Sequence, residues 1–590
     1  MASDWQRLGP IATGGTVFHV QEQAEHIWLG TSAGLFKSNC DPWESQPISQ
    51  PLPYLSAFHV VPGLLLGGGP QGQLLYSTDE GATWYQGRAP QLHEALISCI
   101  AVSPTFRRDA VVLAGTDGAG VVRSTNSATD WHLTNFGLQD LHVVALATAP
   151  GEDQLGVSYH RVGRWPAFAA TTTGLYRSPN GGRAWQPVDL GSTDVTVQAL
   201  AVSPTFVQDG IVFAGTEAHG IFRSSDRGET WSALGLGLDR PSAINAFWLH
   251  PDFAETPICL IGTADGYVLR SDDGGVHWDV VHTGDAAVLT LGGRTTIYAG
   301  LYDEGVLRSD DLGATWTSAP LHARPFVRLN ADRGALLVWG PQVGARQSEN
   351  DGQSWTSLVL PEGRIPLAVT ADGGWMIGTN AGLLRQAENG SWMQHLAEQS
   401  ITALKNTTAG LLVGSQSGKV FRSEDEGEHW DALGAPRPPR PVLALDADGP
   451  ITSAVTTGPN QTLVVWLWDV ADHRWKQWHR TQSLSTSAHL LMRPQALWAA
   501  LGRSLWRANP QGWQKILETE HPILRLQQDA ETQMCYVVTS HTLLTTMDDT
   551  TFETLTPPVE TGTLVDLVVD APARRLYALT VGGELWYSQL

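Results

Sequence analysis

The chain has 590 residues, more than one hydrophobic core ordinarily serves, so at least two domains are expected. It is 42% hydrophobic and 16% charged, with 61 Gly and 34 Pro, a balance that points to many turns and argues against long helices. A formal net charge of −22 repels phosphate backbones and argues against nucleic acid as a partner, and no run reaches the ~18 apolar residues of a membrane span.

The four cysteines, Cys40, Cys99, Cys259 and Cys535, lie far apart. They show neither metal-ligand spacing nor a disulfide framework, so no metal and no cofactor are expected. The opening Met1-Ala2-Ser3-Asp4-Trp5-Gln6-Arg7 has no apolar signal core, and a cytoplasmic location is the expectation.

In chain order, Ser3 to Leu8 reads as a lone strand. A four-strand unit then repeats. In its clearest copy, Val197-Gln198-Ala199-Leu200-Ala201-Val202 is an apolar strand ending in a Ser203-Pro204 turn. Ile211 to Thr216 is the second strand, Ile221 to Ser224 the third, and Trp231 opens the fourth. Upstream, Ala101-Val102-Ser103-Pro104-Thr105-Phe106 matches Ala201-Val202-Ser203-Pro204-Thr205-Phe206.

An octad separates the third and fourth strands: Ser77-Thr78-Asp79-Glu80-Gly81-Ala82-Thr83-Trp84. It recurs at 224–231, 309–316 and 423–430, with close variants ending at Trp185, Trp278 and Trp355. Worn copies end near Trp43, Trp131, Trp392, Trp475, Trp513 and Phe552, and a last unit, Val565 to Ser588, has three strands and no octad. The carboxylate at the third position (Asp79, Asp226, Asp273, Asp311, Asp425) can accept backbone N–H bonds and close a turn. Gly at the fifth supplies a positive φ. The terminal indole (Trp84, Trp231, Trp278, Trp316, Trp430) starts the next strand and packs between neighbouring units, burying roughly 200 Å².

The pattern Ser-x-Asp-x-Gly-x-Thr-Trp resembles the Asp box, or BNR repeat, of sialidases, sortilin-type receptors, two-propeller xyloglucanases and photosystem assembly factors. Repetition at 37–54 residues with four strands per unit is the mark of a propeller blade. The fold expected is all-β: two tandem seven-bladed β-propellers of four-stranded antiparallel blades with Asp-box turns. Ring closure has two solutions, since a ring must pair its first and last strands. In a plain tandem, Trp5 to Leu8 completes the blade containing Val306 to Ser309, and the segment from Trp316 completes the final blade. In the other, Trp5 joins the final blade. The plain tandem is preferred, giving domains 1–312 and 313–590. The Pro-rich stretch from Ala435 to Pro441 then falls between two blades as a rigid connection.

Propeller ligands bind where the turns between second and third strands surround the channel. In the first half those turns are acidic: Asp117, Glu217 with His219, Asp265, and Asp303-Glu304. Such a mouth suits a cation, a basic peptide or a sugar, and two carboxylates at the right separation hydrolyse glycosides. Against hydrolysis, Ser32 stands where the resemblance to xyloglucanases implies the first catalytic Asp. Arg364-Ile365-Pro366 matches a sialidase signature, and Arg328 and Arg525 are placed to face the second channel, but no Tyr-Glu pair accompanies them. His19 and His59 hold equivalent places, shared later by Trp248, and read as histidines bonded near a channel wall. A long connection from Gly151 to Trp165 carries Tyr159, Arg161 and Trp165, residue types favoured at protein interfaces. With no complete catalytic constellation, the expected function is a non-enzymatic scaffold for a protein or other macromolecular partner. The alternative is a glycoside hydrolase using paired carboxylates on the first propeller or between the two.

Overall fold

In the computed structural model the described residues form 14 four-stranded antiparallel sheets. The structure describes residues 5–589 except 11–14, 25, 40–44, 48–54, 93–94, 151–164, 193–194, 239, 320, 322–327, 333, 341–343, 362, 372–373, 388–389, 408–409, 449–450, 460–461, 484–486, 494–495, 510–511, 530–531, 549, 556–563, 571–572 and 581–582. The sheets are the blades of two seven-bladed β-propellers. The first ring, residues 13–324, holds blades 1–7, spanning 17–47, 57–86, 96–133, 143–188, 197–234, 244–283 and 288–319. The second ring, residues 1–12 and 325–590, holds blades 8–14, spanning 328–358, 366–395, 401–434, 442–482, 488–518, 523–555 and 564–589.

Within blades 1–13 the strands run outward in chain order. Second strands such as Val212–Thr216 and Cys259–Thr263 are buried along their whole length, because a neighbouring blade covers each face. That double cover explains why they read as continuous apolar runs rather than alternating ones. Outer strands such as Ser232–Leu234 are largely exposed. The core is a series of inter-blade layers. Between blades 4 and 5, for example, Phe168 and Leu175 meet Val212, Ala214 and Phe222, with Trp231 packed against them.

The octad closes as its residue types require. In blade 5, Ser224 Oγ donates to Asp226 Oδ1 at 2.8 Å and accepts the Gly228 N–H at 2.8 Å. Asp226 accepts the Thr230 N–H at 2.9 Å and its hydroxyl at 2.5 Å. The Trp231 indole N–H donates back to the Gly228 carbonyl at 3.3 Å. The same bonds to the carboxylate recur around Asp79, Asp311 and Asp425, with His429 Nδ1 replacing the Thr hydroxyl at Asp425. Asn180 and Asn350 do the work of Asp in blades 4 and 8. The worn octad before Phe552 keeps the carboxylate, with Asp548 accepting the Thr551 N–H at 2.8 Å.

Two successive left-handed residues turn the chain here: Arg227 has φ 65° and Gly228 φ 81°, and Leu312 and Gly313 have 56° and 83°. Gly at the fifth position meets a second demand. A Cβ on Gly228 would lie 2.4 Å from a ring carbon of Phe168, and one on Gly313 would lie 2.6 Å from Leu260, each in the preceding blade. The indoles dock on that same neighbour. Trp231 meets Phe168 edge-on at 6.3 Å, Trp278 joins the cluster around Phe213, and Trp430 joins Met376 and Leu383.

A second set of inter-blade bonds lines the channels and has no sequence signature of its own. Short polar side chains on inner strands donate to the first carbonyls of the next inner strand: Ser98 to Val143 at 2.5 Å, Asn245 to Val288 at 3.1 Å and Thr402 to Val442 at 2.7 Å. Gln21 exchanges two bonds with the Val60 backbone, and Gln527 does the same with Val569.

Ring closure differs from the plain tandem expected. Gln6–Pro10 pairs antiparallel with Glu584–Gln589, completing blade 14. Thr317–Ala319 stays in its own blade, paired with Gly305–Ser309. The boundary therefore falls near residue 324 rather than 312, and the second ring takes both chain ends. The reason is local. Trp316 bonds its own Gly313 carbonyl at 3.1 Å and packs in the cluster with Leu260 and Val268 of blade 6, which ties the following strand to blade 7. The first ring closes without sharing a strand: Gly15 and Asp303 join by a backbone bond of 3.1 Å, and Gly305 donates to Gly15 at 3.0 Å. In the second ring Leu8 and Leu585 lie against Gly352 of blade 8, and Arg575 and Tyr577 bond Asp351 at 2.6 and 3.1 Å.

Candidate functional site

Because the blades are antiparallel, all turns between second and third strands emerge on one face of a ring. In the first ring this puts Asp117 (blade 3), Glu217 and His219 (blade 5), Asp265 (blade 6) and Asp303 with Glu304 (blade 7) on the same face. Glu217, His219, Asp265 and Glu304 are exposed. Tyr302, beside the last pair, is 60% exposed and gives this rim an aromatic surface.

The bonds at these turns are local. Asp117 Oδ1 pairs with His142 Nδ1 at 2.5 Å, and this hydrogen bond raises the His142 pKa. His142 comes from the connection between blades 3 and 4, and its N–H donates to Asp140 Oδ1 at 3.0 Å. Asp140 Oδ2 takes both Thr172 and Thr173 hydroxyls at 2.9 Å and the Thr173 N–H at 3.0 Å. Burial pushes the Asp140 pKa up, but these bonds outweigh it and hold the group at about 2. Asp140 thus stays ionised and locks the turn of blade 4 to the connection before it. Sequence reasoning missed Asp140 and His142, since they lie in a connection of irregular length rather than in the repeat.

Asp303 is set by its backbone. It has φ 60°, and its N–H donates to Thr16 Oγ1 at 3.1 Å across the closing seam of the ring. Glu304 stands near His282, whose pKa burial lowers while the Glu304 charge opposes the shift. Ser32 occupies the corresponding turn of blade 1, with its N–H bonded to the Thr16 carbonyl at 2.9 Å. No carboxylate sits in that turn.

The remaining sequence candidates part company. Tyr159 and Arg161 lie outside the described residues. Trp165 is no exposed contact: its side chain is 2% exposed within the core between blades 3 and 4, and its indole N–H donates to Asp109 Oδ2 at 3.2 Å. Asp109 ends a short helical turn, Phe106–Asp109, and its Oδ2 accepts the Ser103 hydroxyl at 2.7 Å and the Thr105 hydroxyl at 2.9 Å. The Ser-Pro-Thr-Phe motif therefore builds an anchor for Trp165.

His19 Nε2 bonds the Ser56 carbonyl at 3.0 Å, and burial lowers its pKa. Burial, then the His19 charge, lowers His59 to about 4. Trp248 donates to the Gly293 carbonyl at 2.8 Å. Among the described residues no group of three His, Cys, Asp or Glu is arranged to hold a metal, and no helix is long and apolar enough to cross a membrane. In the second ring Arg328 and Arg525 both line the channel, whereas Arg364 bonds the Ala381 carbonyl and sits outside that lining.

This architecture can be set beside known proteins. Neither family models nor curated proteins gave a match to the sequence. Solved structures gave many. The GH74 xyloglucanase from Xanthomonas campestris is 15% identical, with TM-score 0.60 over 100% of both chains. The GH74 enzyme of Niastella koreensis is 14% identical, with TM-score 0.63 over 98% of this chain and 99% of that one. An ancestral GH74 enzyme is 14% identical, with TM-score 0.59. At such identity the likeness is one of fold: two seven-bladed propellers along the whole length.

Proposed function

We propose that the protein is carbohydrate-active, with a glycan lying across the turn-bearing face of the first ring. The reading rests on one observation: four blades present the carboxylates of Asp117, Glu217, Asp265 and Glu304 on that face, with the exposed ring of Tyr302 beside them. Carboxylates accept bonds from sugar hydroxyls, and an aromatic face stacks on a pyranose ring. GH74 enzymes of matching architecture add support. The absence of a carboxylate at Ser32 favours binding over cleavage by the route the xyloglucanase resemblance implies. The test is a panel of soluble β-glucans including xyloglucan, followed by affinity electrophoresis and by release of reducing ends. Retardation lost in Glu304→Gln and Tyr302→Ala variants supports the reading. Release of reducing ends abolished by Glu304→Gln or Asp117→Asn makes the face catalytic. Neither retardation nor release removes the proposal.

A second reading, a non-enzymatic scaffold for a protein partner, draws on Phe136, which is 80% exposed on the first ring. Its test is a stoichiometric partner recovered from the native host and lost on Phe136→Ser. A cytoplasmic location belongs with this scaffold reading and is tested by cell fractionation.

A further inference from the structure

We propose that the central channel of the second ring binds a small oxyanion, a carboxylate or a phosphate-type group. The inner strands of blades 8–14 enclose a cavity of 340 Å³, and its ionisable lining is Arg328, Lys405, His489, Arg525 and Asp566. One carboxylate, Asp566, lines it and a second, Asp446, stands beside Lys405, and both are committed to the protein. Asp566, 1% exposed, accepts the Leu329 N–H at 2.9 Å, the Leu567 N–H at 2.9 Å and Arg525 Nη1 at 2.7 Å. Asp446 accepts the N–H groups of Met492 and Ala447, each at 2.9 Å, and lies 4.0 Å from Lys405 Nζ. Three cations against two carboxylates leave the channel formally positive, within a chain of net charge −22. Buried charge of one sign is costly without a counter-charge, so this lining favours an anion that reaches it.

His489 adds an independent observation. Its Nε2 is buried with no hydrogen-bond partner among the described residues, while the Leu524 carbonyl bonds its ring. The other ring nitrogen, Nδ1, must therefore carry the hydrogen, and in the neutral ring Nε2 holds only a lone pair. Burial, then Arg328, Arg525 and Lys405, keep the His489 pKa well below its ordinary value. An oxyanion reverses the charge around it, so that the ring takes up a proton and Nε2–H becomes a donor to the ligand. The charged groups facing it are Arg328 from blade 8, Lys405 from blade 10, Arg525 from blade 13 and Asp566 from blade 14, with Asp446 of blade 11 beside Lys405, while blade 9 contributes Leu367, Ala368 and Val369. Binding therefore tightens as pH falls.

The experiment is calorimetric titration of the full-length chain with sulfate and with oxalate, both fully ionised between pH 6 and 8, at ionic strength fixed with chloride. One site per chain is expected, at least tenfold tighter at pH 6 than at pH 8, with about one proton taken up per anion. Lys405→Gln and His489→Gln each weaken binding at pH 6 at least tenfold, and His489→Gln also flattens the pH dependence. Circular dichroism of the unliganded variants checks that the ring is intact. Response to sulfate alone identifies a phosphate-type ligand, and response to oxalate alone a carboxylate. Failure of both probes to saturate at pH 6, or unchanged affinity in both variants, overturns the proposal.

Discussion

At the scale of single residues, the fifth position of the octad carries two constraints that can be separated by experiment. Gly191, which lies outside the octads in the connection after blade 4, and Gly228 have nearly the same φ, 79° and 81°, but nothing lies within 4 Å of a Cβ on Gly191 while Phe168 stands 2.4 Å from one on Gly228. Gly191→Ala should cost about 1 kcal/mol, the strain of a left-handed alanine alone. Gly228→Ala should cost about 3 kcal/mol, because overpacking against Phe168 adds to that strain. Thermal or urea unfolding of the two variants measures both, and equal costs would show that the neighbouring blade gives way. The octad carboxylates make a pH prediction. The Thr230 hydroxyl, then its N–H, hold Asp226 at about 2, and the Thr315 hydroxyl and N–H do the same for Asp311. These folded values lie below the unfolded value of roughly 3.9, so the stabilisation is present above about pH 4 and is lost as pH falls towards 2. Asp226→Asn, which copies the natural Asn180 and Asn350, should fold at pH 7 and lose less stability between pH 4 and 2 than the parent. Acid titrations followed by Trp fluorescence compare the two.

At the scale of strands and blades, the account stands on closure. Octads were legible because one glycine and one indole meet several demands at once, so the same residues return at each corner. The choice of closing strand was not legible: Trp5 to Leu8 has the pattern of any outer strand, and both closures satisfy the strand count. Only the docking of Trp316 on blade 6 and the packing of Leu8 beside Leu585 on Gly352 decide it. The channel-side bonds of Ser98, Asn245 and Thr402 were likewise invisible, since a lone polar residue in a strand carries no sign of its acceptor in the next blade. Removing residues 1–10 should leave Glu584–Gln589 as an unpaired edge. Amide exchange there should rise by orders of magnitude, while strands of the first ring such as Val212–Thr216 keep their protection. Loss of protection in blade 7 instead would restore the plain tandem.

At the scale of the whole molecule, fold and function separate. Seven-bladed rings follow from the repeat, but the repeat spends its strongest residues on structure and says little about ligands. The acidic turns of the first ring were legible because they interrupt the repeat at equivalent places. The Asp140–His142 lock was not, because it sits in a connection of irregular length, and the positive channel of the second ring was not, because its residues come together only when the ring closes. Trp165 shows the opposite error: an aromatic residue in a long connection suggested a surface contact, yet its partner is Asp109 of the preceding blade.

The claim that the first ring's turn face receives a glycan is tested most directly by hydrogen exchange with the most strongly retarded β-glucan at saturation. The account predicts added protection at the turns around Asp117, Glu217, Asp265 and Tyr302, with the octads unchanged. Saturation without protection at any of those turns would contradict it.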